Sequence, residues 1–159
     1  MRITLITVGK VKEKYLRDGI DEYAKRLGRY CKLNIISLED EKTPEGASEA
    51  LEDQIKKKEG DRILKAIPEG AYVFSLAIEG KQYDSVEFSR KISGLAAGGT
   101  SQIVFIIGGS LGLHSSITKK SDELISFSKM TFPHQLMQMI FLEQLYRAYR
   151  IENGEPYHK

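Results

Sequence analysis

The chain has 159 residues, of which 41% are hydrophobic and 29% charged, and a net charge of +2; these values are typical of one soluble domain with a substantial core. No apolar run approaches the roughly eighteen residues that a membrane-spanning helix needs, and the first nine residues predict a strand rather than a signal sequence. Because Cys31 is the only cysteine, no intrachain disulfide can form, and we expect a cytoplasmic protein.

Apolar, β-branched segments alternate with segments of helical periodicity along the whole chain. We predict, in chain order, a strand at 2–8, a helix at 13–30, a strand at 33–38, a loop at 39–46, a helix at 47–67, a strand at 71–78, a helix at 85–96, a strand at 102–107, a helix at 115–121, a strand at 124–127 and a helix at 133–152. The helix at 47–67 could break at Gly60, and Glu79 to Lys81 should form a turn. This alternation predicts a single α/β domain over residues 1–159, with a mainly parallel sheet and flanking helices.

A glycine-rich turn, Gly-Gly-Ser-Leu-Gly at 108–112, follows the strand at 102–107. Glycines at the end of a buried strand let main-chain groups approach a small ligand, although an ordinary strand-to-helix turn is the open alternative. The spacing does not fit a dinucleotide fingerprint, and the chain has neither a P-loop nor a nucleophile elbow. Its three histidines and one cysteine make no recognised metal-binding pattern, so we expect no metal.

The predicted terminal helix is apolar almost all round, with few charges such as Glu143, Arg147 and Arg150. One face of such a helix can cover the sheet, and the remaining apolar surface needs another partner. A central, fully buried helix is the alternative. In so small a chain we predict a subunit interface, and therefore a homodimer.

Four segments of the chain resemble those of the SPOUT (α/β-knot) methyltransferases: residues 105–113, 127–136, 143–148 and 156–159. The nearest likeness is to the small, single-domain RlmH-type family, which methylates N3 of a pseudouridine in large-subunit (23S) ribosomal RNA. The likeness runs from end to end and is weakest across residues 39–60. It implies a C-terminal trefoil knot, a homodimer and S-adenosyl-L-methionine (SAM) bound by the loops of the knot.

By this resemblance, the SAM site combines a strand end, the glycine turn and the loop before the last helix: Leu76, Gly108, Gly109, Phe127, Ser128, Lys129, Met130, Thr131 and Phe132. The apolar side chains among them could form a slot for adenine, and main-chain groups could supply fixed donors and acceptors. Core packing is the alternative for each apolar residue taken singly.

The resemblance also implies a function for the short C-terminal tail. His158 could remove or hydrogen-bond the imide proton of the base, and Tyr157 could stack on the base or hydrogen-bond to it. Arg147 and Arg150 could hold phosphates or stabilise the uracil anion. Without the family likeness, a disordered and idle tail would be the expectation. With it, we predict that His158, Tyr157 and Arg147 are catalytic.

Charge is unevenly distributed: residues 1–33 are rich in lysine and arginine, whereas residues 39–53 are mostly acidic. This asymmetry favours a basic face for a polyanion, with a solvated helix face as the alternative. The domain is too small for a separate RNA-binding module, so we expect the dimer surface, including the region from Lys10 to Arg29, to contact large-subunit rRNA within the ribosome.

Three functions are open on the sequence alone. The leading one is a SAM-dependent rRNA methyltransferase. The second is a non-catalytic ribosome-binding assembly or regulatory factor with the same fold. The third is a small-molecule enzyme that uses the glycine turn for a nucleotide, and the absent fingerprint motifs count against it.

Overall fold

Five strands and five helices alternate along the chain, which the computed structural model describes from residue 1 to residue 159. In chain order they are β1 (Arg2–Val8), α1 (Lys14–Leu27), β2 (Lys32–Leu38), α2 (Glu49–Ala66), β3 (Tyr72–Gln82), α3 (Ser85–Ala97), β4 (Gln102–Ile107), α4 (Ser115–Lys120), β5 (Glu123–Ser126) and α5 (His134–Glu152).

The strands form one sheet in the order β2-β1-β4-β3-β5, and every pair is parallel. The predicted α/β architecture is confirmed, and the sheet is entirely rather than mainly parallel. Helices cover both faces of the central strands, which explains why β4 is a continuous apolar run, buried from Ile103 to Ile107.

The core has two parts, one on each side of the sheet. On one side, apolar residues of α1, α3 and α5 pack against β1, β3 and β4. Here the Phe105 ring stacks on Phe74, with 4.9 Å between centroids, and lies 4.5 Å from the Phe141 ring of α5. On the other side, Ile63 of α2 and Ile117 of α4 pack against β1 and β4. The domain is therefore a three-layer sandwich.

Two local predictions are wrong. β3 does not end in a turn at residues 79–81 but continues to Gln82, because it pairs again with β5. α2 does not break at Gly60: the helix is continuous from Glu49 to Ala66, and Gly60 is buried in it, facing the start of α4. The remaining elements agree with prediction to within a few residues at their ends.

Residues 77–80 form an excursion within β3 that crosses the main chain of β5. Ile125 of β5 is the partner of Leu76 before the excursion and of Lys81 after it. At the crossing, a Cβ on Gly80 would lie 2.6 Å from the carbonyl carbon of Leu124 and 2.7 Å from main-chain atoms of Ile125. Only glycine fits there. The predicted trefoil knot, which concerns the threading of the whole chain, stays a prediction.

α1 covers part of the apolar surface of α5. The Met139 sulfur lies where a Cβ of Gly19 would be, and the Tyr149 ring stacks on Tyr30 with 5.7 Å between centroids. Three apolar residues of α5 belong to neither part of the core and are only partly buried: Leu136, Ile140 and Ile151. The apolar surface left for a partner is therefore narrower than the sequence predicts.

We expect Gly80→Ala to lower the free energy of unfolding by about 1–3 kcal/mol, because the added methyl group overlaps the main chain of β5. Gly94→Ala is the matched control: a Cβ at this position in α3 meets nothing within 4 Å, so alanine should stabilise the helix by about 1 kcal/mol. Urea denaturation measures both changes. Equal stability of the two variants would contradict the close crossing.

Candidate functional site

A cavity of about 880 Å³ opens at the carboxyl ends of β3, β4 and β5. Three segments form most of its lining: residues 76–79 of β3, residues 107–113 around the glycine turn, and residues 125–134 from the end of β5 to the start of α5. Ligands in open α/β sheets bind at this edge, because the loops that follow parallel strands meet there. Pockets for ordinary small ligands measure roughly 300–1,000 Å³, so the cavity is large enough for a nucleoside-sized molecule.

The glycines of the turn allow the main chain to fold tightly on itself. The Gly112 amide donates to the Gly109 carbonyl at 3.0 Å, and Gly112 has a φ of +86°. A Cβ on Gly108 would lie 2.9 Å from the carbonyl carbon of Gly112 and 2.9 Å from the Leu113 side chain. The sequence suggested that these glycines leave room for a ligand, whereas their contacts show that they close the turn and let it pack on its neighbours.

Serine side chains and one aromatic ring hold the loop before α5. The Ser126 hydroxyl donates to the Ser128 carbonyl at 3.0 Å, and the Met130 amide donates to the Ser128 hydroxyl at 2.9 Å. The Phe127 ring meets the Phe141 ring edge-on at 6.3 Å. The Met130 side chain, by contrast, is 75% exposed at the mouth of the cavity. The loop therefore has a fixed base and a free apolar side chain at its tip.

The cavity brings together eight of the nine residues predicted for the SAM site: Leu76, Gly108, Gly109, Phe127, Ser128, Met130, Thr131 and Phe132. Lys129 does not line it. Sequence reasoning missed other lining residues, among them Ile78, Glu79 and His134. Pro133 predicts the start of a helix, and the first turn of that helix, α5, faces the ends of the strands. This pattern could have identified His134 as a residue that lines the cavity.

His134 connects the cavity to the loops that follow β1 and β2. A Cβ on Gly9 would lie 3.2 Å from Nε2 of His134. Gly9 has a φ of +90° and also lies close to the Asp40 side chain. Burial lowers the pKa of His134, and the Asp40 carboxylate opposes this effect. The His134 imidazole at the start of α5 thus packs on the main chain after β1.

The C-terminal tail is ordered around Glu143 of α5, a residue that sequence reasoning missed as a functional candidate. The Tyr157 hydroxyl and the Arg147 Nε each donate to Glu143 Oε1 at 3.0 Å. The Arg147 guanidinium lies 4.6 Å from the centre of the Tyr157 ring and 3.3 Å from Nδ1 of His158. Burial, and then the bond to Glu143, raises the pKa of Tyr157 to about 12. The tail is therefore packed against α5, and its proposed function stays a prediction.

A second set of contacts anchors the tail nearer its start. The Tyr30 hydroxyl donates to Glu155 Oε2 at 2.8 Å, and Arg150 pairs with the same carboxylate. Arg150 also donates to the Pro156 carbonyl at 3.1 Å. Arg150 thus connects the tail with the end of α1, and its guanidinium is engaged within the protein.

His158 is the tail residue that lies nearest the predicted cofactor site. It lines a second cavity of about 550 Å³, which shares Phe127 and Phe132 with the first. Tyr157 and Arg147 line neither cavity. Within one chain, the structure therefore brings one of the three predicted catalytic residues to the loop at 127–132.

None of the helices is long and apolar enough to cross a membrane. No group of three or more histidine, cysteine, aspartate or glutamate side chains is arranged to hold a metal ion.

Comparison with known proteins gives matches over the full chain. A family model described as "Predicted SPOUT methyltransferase" matches residues 1–158. A protein of Bifidobacterium adolescentis named "Ribosomal RNA large subunit methyltransferase H" is 67% identical over 100% of both chains. Proteins of the same name from Streptococcus suis and Clostridium acetobutylicum are 59% and 58% identical, again over 100% of both chains.

Solved structures show a likeness of fold at low identity. A tRNA methyltransferase from Aquifex aeolicus matches with a TM-score of 0.59 and 13% identity, over 100% of this chain and 75% of that one. A probable methylase family protein from Haemophilus influenzae matches with a TM-score of 0.53 and 13% identity, over 99% of this chain and 70% of that one.

Proposed function

Because the chain belongs to the SPOUT methyltransferase family, we propose that it transfers the methyl group of SAM to N3 of a pseudouridine in large-subunit ribosomal RNA. The observation that carries the proposal is the cavity at the ends of β3, β4 and β5, which is lined by eight of the nine residues expected to bind SAM. The names of the full-length relatives support the class of RNA. A substrate of this kind puts the proposed activity in the cytoplasm.

The residues present fit SAM. Leu76, Phe127 and Phe132 supply an apolar slot for the adenine ring, and the main chain of the glycine turn supplies hydrogen-bonding groups beside it. When bound, SAM supplies a methyl group that its sulfonium has already activated. The protein then has to align the acceptor nitrogen with that methyl group, exclude water and remove a proton.

We assign proton removal to His158, since histidine is the side chain that most readily exchanges a proton near neutral pH. Its place beside the loop at 127–132 supports this assignment. Arg147 would stabilise the negative charge that develops on the uracil ring, and Tyr157 would position the base. Glu143, which holds both Arg147 and Tyr157, acts as a positioning residue for them.

The RNA would be recognised by the basic loop and helix that follow β1, from Lys10 to Arg29. Lys10, Lys12 and Lys14 are exposed there, and the Lys12 amide donates to the Gln135 side chain at 3.4 Å, which joins this loop to the first turn of α5. Lysine side chains on a loop that is joined to the first turn of α5 suit phosphates that flank the target base. We propose rRNA within the ribosome as the substrate.

Gly108→Ala should weaken SAM binding at least tenfold, because the added Cβ overlaps the main chain of Gly112 and distorts the turn. Titration calorimetry with SAM measures the affinity, and one site per chain is expected without added metal. Gly94→Ala, which adds the same Cβ in open space on α3, should bind SAM normally. Unchanged affinity of a folded Gly108→Ala variant would remove the turn from the site.

Deletion of residues 157–159 should abolish methyl transfer while preserving the fold and SAM affinity. The anchor formed by Tyr30, Arg150 and Glu155 remains in the shortened chain, so little stability is lost. His158→Ala alone should lose about 10²-fold in rate, because a positioned general base typically contributes at least this much.

The assay uses labelled SAM and ribosomal particles from a strain that lacks this protein, followed by mapping of the modified nucleoside. Normal turnover by the shortened chain would refute the assignment of the tail. Failure of the intact chain to transfer a methyl group would instead favour the non-catalytic ribosome-binding role.

We also propose a homodimer formed through α5, on the partly buried apolar positions Leu136, Ile140 and Ile151, which belong to neither part of the core. Light scattering at low micromolar concentration should give twice the 18.0 kDa mass of the chain. Leu136→Glu should shift the mass to that of a monomer, because a charge would be buried in the interface. Gln54→Glu, which adds the same charge at an exposed position of α2, is the control. An unchanged mass for Leu136→Glu would exclude this face.

A further inference from the structure

A buried carboxylate, that of Glu59 in α2, lies directly behind the glycine turn. Glu59 is only 6% exposed. A Cβ on Gly109 would lie 3.4 and 3.6 Å from its two carboxylate oxygens, so the carboxylate packs against the main chain of the turn. Gly109 also lines the cavity. A single glycine therefore contacts both the buried carboxylate and the predicted ligand site.

The negative charge of Glu59 is not neutralised by a cation of its own. Its Oε2 accepts one hydrogen bond, from the Glu41 amide at 3.0 Å, and its Oε1 accepts none from the protein. Arg62, one turn later on α2, pairs with the Glu41 carboxylate and donates to the Glu39 carbonyl at 2.9 Å. Burial raises the pKa of Glu59, and the charge of the neighbouring Asp40 adds to this effect. The hydrogen bond from the Glu41 amide and the charge of Arg62 oppose it, but the pKa stays raised.

An incompletely paired carboxylate in the interior destabilises the fold, and groups of this kind cluster at functional sites. The two forms of the cofactor differ by one charge: SAM carries a sulfonium cation, which the demethylated product, S-adenosylhomocysteine, lacks. At an effective dielectric constant of about 20, the attraction between opposite unit charges falls off only as the inverse of their distance, so an effect of about tenfold in affinity does not need direct contact. A charge behind the turn can therefore distinguish the two forms without touching either.

We propose that Glu59 is a specificity-determining residue of the cofactor site, whose buried negative charge behind Gly109 favours the cationic methyl donor over the uncharged thioether product. This inference rests on the proposed function, because it presupposes that SAM binds in the cavity. The residues that line the cavity cannot supply this discrimination by charge. Glu79 is the only carboxylate among them, and solvent screens its charge because it is exposed.

The test compares the affinities of SAM and S-adenosylhomocysteine by titration calorimetry. In Glu59→Gln the preference for SAM should fall about tenfold relative to the wild type, with the affinity for the product unchanged within about twofold. Glu59→Leu, a second charge-free side chain, should behave in the same way. Glu59→Asp keeps the charge and should keep the preference. Asp61→Asn removes an exposed charge from the same helix and should change neither affinity.

Thermal unfolding separates this effect from a structural one. Because burial disfavours the charged form of Glu59, Glu59→Gln should not lower the unfolding temperature, even though selectivity is lost. An equal loss of affinity for both ligands would show that Glu59 only shapes the turn and would overturn the proposal. An unchanged ratio would also overturn it. If the wild type bound neither ligand, the proposed function itself would fail.

Discussion

The structure depends on one close approach between main chains, where the β3 excursion crosses β5. Ile125 of β5 pairs with Leu76 before the excursion and with Lys81 after it. Gly80 is the point at which the main chains of the two strands touch. Each of the two segments also carries a wall of the cavity. The distance between these walls is therefore set by main-chain pairing, which side-chain changes elsewhere alter little.

The parallel sheet adds the third wall to the same place. All five strands run in one direction, so the turn after β4 emerges beside the β3 excursion and the loop after β5. The turn is packed from behind by Val8 and Glu59, and the start of α5 is packed by Gly9 through His134. A site assembled from loops is thus supported by four strands and two helices, which restricts the movement of its main chain.

The C-terminal tail is held less firmly than the cavity, because its residues make few contacts with the core. Tyr157 and His158 are held by Glu143 and Arg147, whose side chains are 19% and 24% exposed, and partly exposed ion pairs contribute little stability each. Such contacts hold the tail against α5 and cost little free energy to break. The rigid cavity and the loosely held tail correspond to the two tasks of the proposed reaction, which are to bind a cofactor and to engage an RNA base.

The sequence by itself determined the alternation of elements, the strand at 102–107, the glycine turn and the loop at 127–132, because each depends on local composition and periodicity. It could not determine that residues 79–81 stay in a strand, since Glu-Gly-Lys favours a turn unless β5 pairs with it. Nor could it single out Glu59 and Glu143, because a charged residue on a helix resembles a solvated one. Burial and pairing arise from contacts between distant segments, and no local pattern encodes them. Only the tertiary structure decided those features.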